Sequence, residues 1–407
     1  MAITYTTLGS TVTIDSAGFI PATSLNSAVA LVGGYDEAEA DANVNVGEVT
    51  RVASSTEAAI SFGANSELAR QASAAFLNGA SEVLGIPVPE TSTTETFGSG
   101  APTSSGTLSN AGVLDPRLHE EHEITVTDVG GSTSLVVNAV YGTPASPTES
   151  DTVNINPRTG EWEADASGEY EFSYTYSEYA DAIGTAVNQP VRAVAVCDER
   201  TSTKSTLLTE LDEAQSNIRF LRGVVGAEPN IQSGDITSYE PPSRSWRVVE
   251  TAPAHGSDEI GKIRTAGAIA GMIAGQPIDV SGSITYDTVD YLTGLNVEYT
   301  PGAASDFEAV TAITDEFEIA EGVTTSEEPA FRDIYKVEIV DLIVETVYSL
   351  VKGYKGGSNS QTARNLFESR VRRLLASYSE PNAQPPLLAS GDGSRPYYVN
   401  AALGDTD

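Results

Sequence analysis

Apolar and polar positions change their rhythm several times along the chain. Residues 27–34 (SAVALVGG) form a short apolar run ending in glycines, as in a strand covered on both faces. An acidic loop at 36–41 follows, and 44–52 reads as a further strand or a connecting loop. Asn65 or Ser66 then caps a helix with Leu68, Ala72, Ala75 and Phe76 on its apolar side, and Asn78-Gly79 closes it. Residues 82–88 (EVLGIPV) supply the next strand, so the opening third has the strand–helix–strand order of an α/β unit.

Residues 90–112 are rich in Ser, Thr and Gly, lack apolar periodicity and read as a linker. From 123 to 176 the period becomes two, over 124–127, 135–141, 152–155 and 170–176, with turn chemistry at 130–131, 144–150 and 156–160. The α/β rhythm resumes afterwards. Residues 191–197 (VRAVAVC) form an apolar strand, 201–221 a helix, 223–227 and 245–251 two strands, and 262–275 an Ala/Gly-rich helix. Residues 284–297 and 309–320 read as further strands or loops. The expected fold class is an α/β (α+β) core domain built from N- and C-terminal parts, with an inserted all-β domain and extended terminal arms. The expected boundaries are an N-terminal arm at 1–22, core at 23–115, β insertion at 116–182, core with C-terminal helices at 183–390, and a C-terminal arm at 391–407.

Two helices are expected within 331–378, joined by 353–360. In the first, Asp333, Lys336, Asp341, Glu345, Ser349 and Lys352 make a narrow polar stripe, and Ile334, Tyr335, Ile339, Leu342, Ile343, Val347, Leu350 and Val351 fill the other sides, which predicts burial over most of its circumference. In the second, Phe367, Val371, Leu374, Leu375 and Tyr378 share one face, and Arg364, Arg370, Arg372 and Arg373 occupy the rest. Two further stretches are strand-like without an obvious core: 1–22, with Tyr5, Leu8, Val12 and Ile14, and the tail with Tyr397, Tyr398, Val399 and Leu403. Each reads as a strand in need of a partner.

Charge sharpens the picture. The 407 residues hold 57 acids against 22 basic residues, a net charge of −35, yet 331–378 carries eight basic residues against five acids. An arginine-rich helix in such a chain turns toward something acidic, either the chain's own surface or another subunit. Nucleic acid is disfavoured, because the rest of the chain repels phosphate. The acidity, with few lysines, fits adaptation to molar salt; at about 1 M the Debye length is roughly 3 Å and surface carboxylates cease to repel one another.

Candidate chemistry is sparse. His119-Glu120-Glu121-His122 has the i, i+3 spacing, whereas a helical zinc pair needs i, i+4. His255 is the remaining histidine and lies in a loop-like stretch. Cys197, the single cysteine, excludes an intrachain disulfide and lacks an evident histidine base. Gly267, Gly271 and Gly275 form a helix-packing face rather than a phosphate loop. The N-terminus lacks a signal-peptide pattern, and the apolar run 266–274 is too short to span a bilayer. The expectation is a non-enzyme with no catalytic residues, metal or cofactor and no direct membrane insertion.

Three stretches together resemble the contractile tail sheath proteins of tailed viruses and related injection machines. The first is 28–88, carried by Ser61-Phe62-Gly63 and Phe76-Leu77-Asn78-Gly79; the second is 191–227 with 265–275 (AGAIAGMIAG within it); the third is the pair of C-terminal helices and the tail strand. The family's proline-glycine-valine-tyrosine opening is absent, the segment after Gly275 is shorter than usual, and the expected alanine-asparagine pair is missing. The resemblance implies a virion tail protein, assembled in the host cytoplasm into helical rings of identical subunits, with tail tube, baseplate and tail terminator proteins as partners. It implies that the terminal strands augment sheets of neighbouring subunits and that Arg364, Arg370, Arg372 and Arg373 face the tube. Combined with the acidity, it suggests a halophilic archaeal virus. Another virion shell protein, such as a major capsid protein, and an α/β enzyme with an appended β domain are the alternatives.

Overall fold

The computed structural model describes residues 2–7, 10–15 and 27–378, apart from 38, 111–113, 115–122, 141–142, 158, 199, 218, 228–239, 243, 254–264, 277–282, 291–294, 296–298, 300–308 and 353–359. Two short strands, β1 (Ala2–Thr7) and β2 (Ser10–Asp15), pair antiparallel with each other, with Tyr5 opposite Val12 and Ile3 opposite Ile14. Among the described residues this hairpin joins neither of the two larger sheets.

The first large sheet is α/β. Its strands are β3 (Ala28–Gly33), β4 (Thr50–Val52), β5 (Glu82–Pro87), β13 (Ala193–Val196), β14 (Arg222–Gly226), β15 (Val248–Ala252) and β16 (Thr311–Ala312). They lie in the order β16-β15-β14-β13-β3-β5-β4, all parallel except for β4. The apolar runs follow from burial on both faces. Val29 and Leu31 of β3 join one core, and Ala28, Ala30 and Val32 join the other. Helices α1 (Ser55–Phe62), α2 (Glu67–Leu77) and α5 (Ala266–Gly275) contribute to the first core. Helices α3 (Ala180–Val187) and α4 (Thr201–Ser216) contribute to the second. Ser54 and Ser66 cap α1 and α2 through their hydroxyls, accepting from the backbone N–H of Glu57 and Ala69.

α2 and α5 approach backbone to backbone. A Cβ on Gly271 would stand 2.4 Å from the Ala75 carbonyl oxygen, and one on Gly275 would stand 2.7 Å from the Gly79 Cα. Gly267 N–H donates to the buried Gln71 side chain at 2.7 Å. The Ala/Gly composition of α5 is therefore a fitted surface, and side chains larger than hydrogen at these glycines would push the helices apart.

The second large sheet holds β6 (Glu90–Phe97), β7 (Thr103–Thr107), β8 (Thr125–Asp128), β9 (Thr133–Ala139), β10 (Thr152–Ile155), β11 (Glu161–Gly168) and β12 (Tyr170–Ser177), in the order β6-β12-β8-β9-β10-β11-β7. Only β9 and β10 pair in parallel. The sheet curls so far that edge strand β6 meets β11: the Phe97 and Trp162 rings lie 5.3 Å apart, and a Cβ on Gly98 would strike the Gly168 carbonyl. Trp162, Phe172, Tyr170 and Val153 fill the interior. β6 and β7 correct the linker expected at 90–112. Their Ser, Thr and Glu side chains alternate between half-buried and exposed, so they pair as strands without an apolar signal.

Candidate functional surfaces

The position where an open parallel sheet would hold a ligand lies between β3 and β13, where the strand order reverses direction. Here that crevice is filled. Gly33 lies against Cys197, whose Cβ and Sγ would both be 2.9 Å from an added Cβ. Tyr179 Oη donates to the Cys197 carbonyl at 3.1 Å, and Arg200 pairs with Asp198. Cys197 is buried, with 1% of its surface exposed. Lys204 of α4 and Glu250 of β15 form an ion pair at 3.0 Å with both side chains buried. Among the described residues no group of His, Cys, Asp and Glu could hold a metal ion, and no helix is long and apolar enough to cross a membrane. His119, His122 and His255 lie outside the described residues.

The opposite, amino edge of the sheet carries a charge cluster that sequence reasoning missed. Arg192 and Arg247 each precede a strand, and Arg222 begins β14; register sets Arg222 beside Arg247 and opposite Ala193, one residue past Arg192. Helix α6 (Ile334–Lys352) crosses this edge. Glu338 accepts from Arg192 Nε at 3.0 Å. Asp341 Oδ2 accepts from both Arg222 and Arg247, the latter at 2.5 Å. Arg247 lies over the Phe220 and Trp246 rings, 4.7 and 4.3 Å from their centroids. All five charged residues are buried. Burial pushes the Glu338 carboxyl above the usual range, against the pull of Arg192 and Arg222. Burial likewise raises Glu345, helped by Asp341 and opposed by the Phe220 backbone, Arg247 and Arg222. The arginines are signalled in sequence only by a basic residue at the start of each apolar run.

This cluster corrects the expected orientation of α6. Asp341, assigned to a polar stripe, is buried, whereas Val351, assigned to the apolar sides, is exposed, as are Val344 and Tyr348. Ile334, Val337, Ile339 and Leu342 face inward along the first half of the helix. The three arginines compensate the acids, so the charged residues turn inward and apolar ones farther along turn out.

Helix α7 (Gln361–Ser377) starts at Ser360, whose hydroxyl accepts from the Ala363 N–H at 3.2 Å. Val371, Leu374, Leu375 and Tyr378 are buried as expected, with Phe367 half-buried. The four arginines divide. Arg372 pairs with Glu368 one turn back, and Arg364 donates to Gln361 at 2.7 Å. Arg370 and Arg373 are exposed, on the face that includes Leu366. Of the terminal strand residues, Tyr5, Val12 and Ile14 lie in the β1–β2 hairpin, while Leu8, Tyr397, Tyr398, Val399 and Leu403 lie outside the described residues.

No family model matches the chain, and no curated protein matches it. Among solved structures it is similar to a chain of the anti-feeding prophage baseplate and to one of the anti-feeding prophage helical sheath in the contracted state. Each likeness has 10% identity and a TM-score of 0.49, covering 86% of this chain and 77% of the other. It is also similar to a chain of the contracted sheath complex of PVC, an extracellular contractile injection system, at 10% identity and a TM-score of 0.48 over 86% of this chain and 75% of that one. At this identity, function is left to the residues.

Proposed function

We propose that this chain is a contractile tail sheath subunit. The observation that carries the reading is the α2–α5 seam. Two of the stretches that resemble sheath proteins, the one ending at Phe76-Leu77-Asn78-Gly79 and the Ala/Gly helix 266–275, meet there backbone to backbone. Residues 196 positions apart thus serve one fitted unit, and the resemblance rests on that unit rather than on scattered matches.

In this reading many copies stack as helical rings around a tube in a metastable extended form. Contraction moves the subunits to a second packing and drives the tube through the host envelope. The work comes from the difference between two packings of the same chain, so no nucleotide or catalytic residue is needed. Tube, baseplate and terminator proteins are the partners, and the tail is assembled in the host cytoplasm. The exposed Arg370 and Arg373 face the tube, with Arg364 and Arg372 held beside them by Gln361 and Glu368. The terminal segments, with Tyr5, Leu8, Val12, Ile14, Tyr397, Tyr398, Val399 and Leu403, pair with sheets of neighbouring copies, where strand addition supplies main-chain bonds. The β-rich domain sits on the outside. Net charge of −35 supports a halophilic host, and a tailed archaeal virus as the source.

High-speed sedimentation across salt concentrations tests the proposal. Sheath subunits pellet as polymer in molar salt; a chain that stays in the supernatant at every salt is not one.

A further inference from the structure

The chain breaks its helical course just before α6. A short helical turn, Pro329–Arg332, ends at Asp333, whose backbone is extended (φ −74°, ψ 121°), and α6 starts afresh at Ile334. The turn ahead of this break is held firmly. The Phe331 ring lies 4.8 Å from the Trp246 ring, and Thr324 Oγ1 donates to the Phe331 carbonyl at 2.8 Å. Asp333 pairs with Val323 in an isolated bridge, and Ile334 N–H donates to the Gly322 carbonyl at 3.1 Å.

Beyond the break the contact with the sheet changes in kind. One and two turns along α6, Glu338 and Asp341 meet Arg192, Arg222 and Arg247. Ile339 and Leu342, with Tyr335 and Ile343, form an apolar cluster apart from the two cores of the sheet. α7 packs against α6. The ionic contact is also incompletely satisfied. Among the described residues, Arg222 Nε, Arg247 Nη2 and Asp341 Oδ1 are buried without a hydrogen-bond partner. Such atoms gain partners when water enters. Opening rehydrates both sides of each pair at once, which offsets the Coulomb energy lost; truncation of one partner brings no such return. The contact is thus easier to open than an apolar one of the same extent.

We propose that α6 and α7 swing as one arm about Asp333, latched to the sheet by Glu338 and Asp341. A residue between two helical segments is where a hinge absorbs its change in φ and ψ. In a sheath the swing lets α7 keep its hold on the tube while the sheet moves. That purpose rests on the sheath reading; the hinge does not.

Amide hydrogen exchange of the full-length chain, read by mass spectrometry, tests it. Peptides from α6 and α7 are expected to exchange at least tenfold faster than peptides from β13 and β14. Asp341→Asn weakens the latch and should speed α6 and α7 together by at least a further tenfold, with β13 and β14 unchanged. Exchange of α6 as slow as that of the strands in the parent chain would overturn the inference, as would unchanged rates in the variant. Acceleration of α6 without α7 would deny a joint arm, and equal acceleration of the strands would mean loss of the whole fold; either overturns it. Joint acceleration in a chain that never pellets as polymer would keep the hinge and remove the sheath.

Discussion

Arg192 and Glu338 stand 146 residues apart in the chain and 2.8 Å apart in the fold, with both side chains buried. With Arg222, Arg247 and Asp341 they tie the C-terminal helices to the amino edge of the parallel sheet. An ion pair in this setting is costly to break from one side, because the partner is left charged and dry.

Glu338→Ala should therefore destabilise the subunit by about 3 to 5 kcal/mol, the usual cost of orphaning a buried charge. The double variant Arg192→Met/Glu338→Leu should recover most of that loss. Urea midpoints of the two variants and the parent measure both effects. An unchanged midpoint for Glu338→Ala would show that the pair does not hold α6.

Glu345 gives a pH signature. Burial and Asp341 raise its carboxyl above the ordinary value of 4.5, so the folded state binds the proton more tightly than the unfolded chain. Its contribution is favourable below the unfolded value and is lost as pH rises through the folded one. Glu345→Gln should be more stable than the parent at neutral pH, and the advantage should shrink as pH falls toward and below 4.5. Denaturation midpoints from pH 4 to pH 8 are the check; a constant difference across that range would contradict the assignment.

The glycine seam predicts a contrast between two alanine substitutions. Gly271→Ala places a methyl against the Ala75 backbone and should cost about 1 to 3 kcal/mol, as overpacking does. Gly34→Ala meets nothing within 4 Å and should be close to neutral. Thermal melts of the two variants, measured side by side, decide between a fitted seam and a merely small-residue helix.

Much of this fold is legible in the sequence where burial is two-sided or periodic. The runs that became β3, β5, β13 and β14, and the amphipathic helices α2, α4 and α7, stand out because every apolar position serves one of two cores. β6 and β7 do not stand out, because Thr and Ser form both faces of an exposed strand. The amino-edge cluster is hidden for a different reason. Glu338 and Asp341 look like solvent-facing acids until register places Arg192, Arg222 and Arg247 opposite them, and register is a property of the sheet rather than of any local segment.

The arginines of α7 divide by geometry, and assembly should follow the division. Arg370→Glu/Arg373→Glu reverses the two exposed charges and should weaken co-sedimentation with the tube at least tenfold, leaving polymerisation of the subunit itself intact. Arg372→Ala removes a side chain already paired with Glu368 and should have the smaller effect. Equal retention on the tube for all three proteins would remove α7 from that interface.

Removal of residues 395–407 tests the arm proposal. The truncated chain should remain folded, with unchanged circular dichroism, but should fail to form sleeves. Normal sleeves would show that the C-terminal strand is dispensable.

The most direct measurement is electron microscopy of the full-length chain in about 3 M salt, where electrostatic screening is nearly complete. Hollow, striated sleeves or stacked rings are the predicted result. Closed icosahedral shells, or discrete small oligomers at every salt concentration, would contradict the sheath assignment.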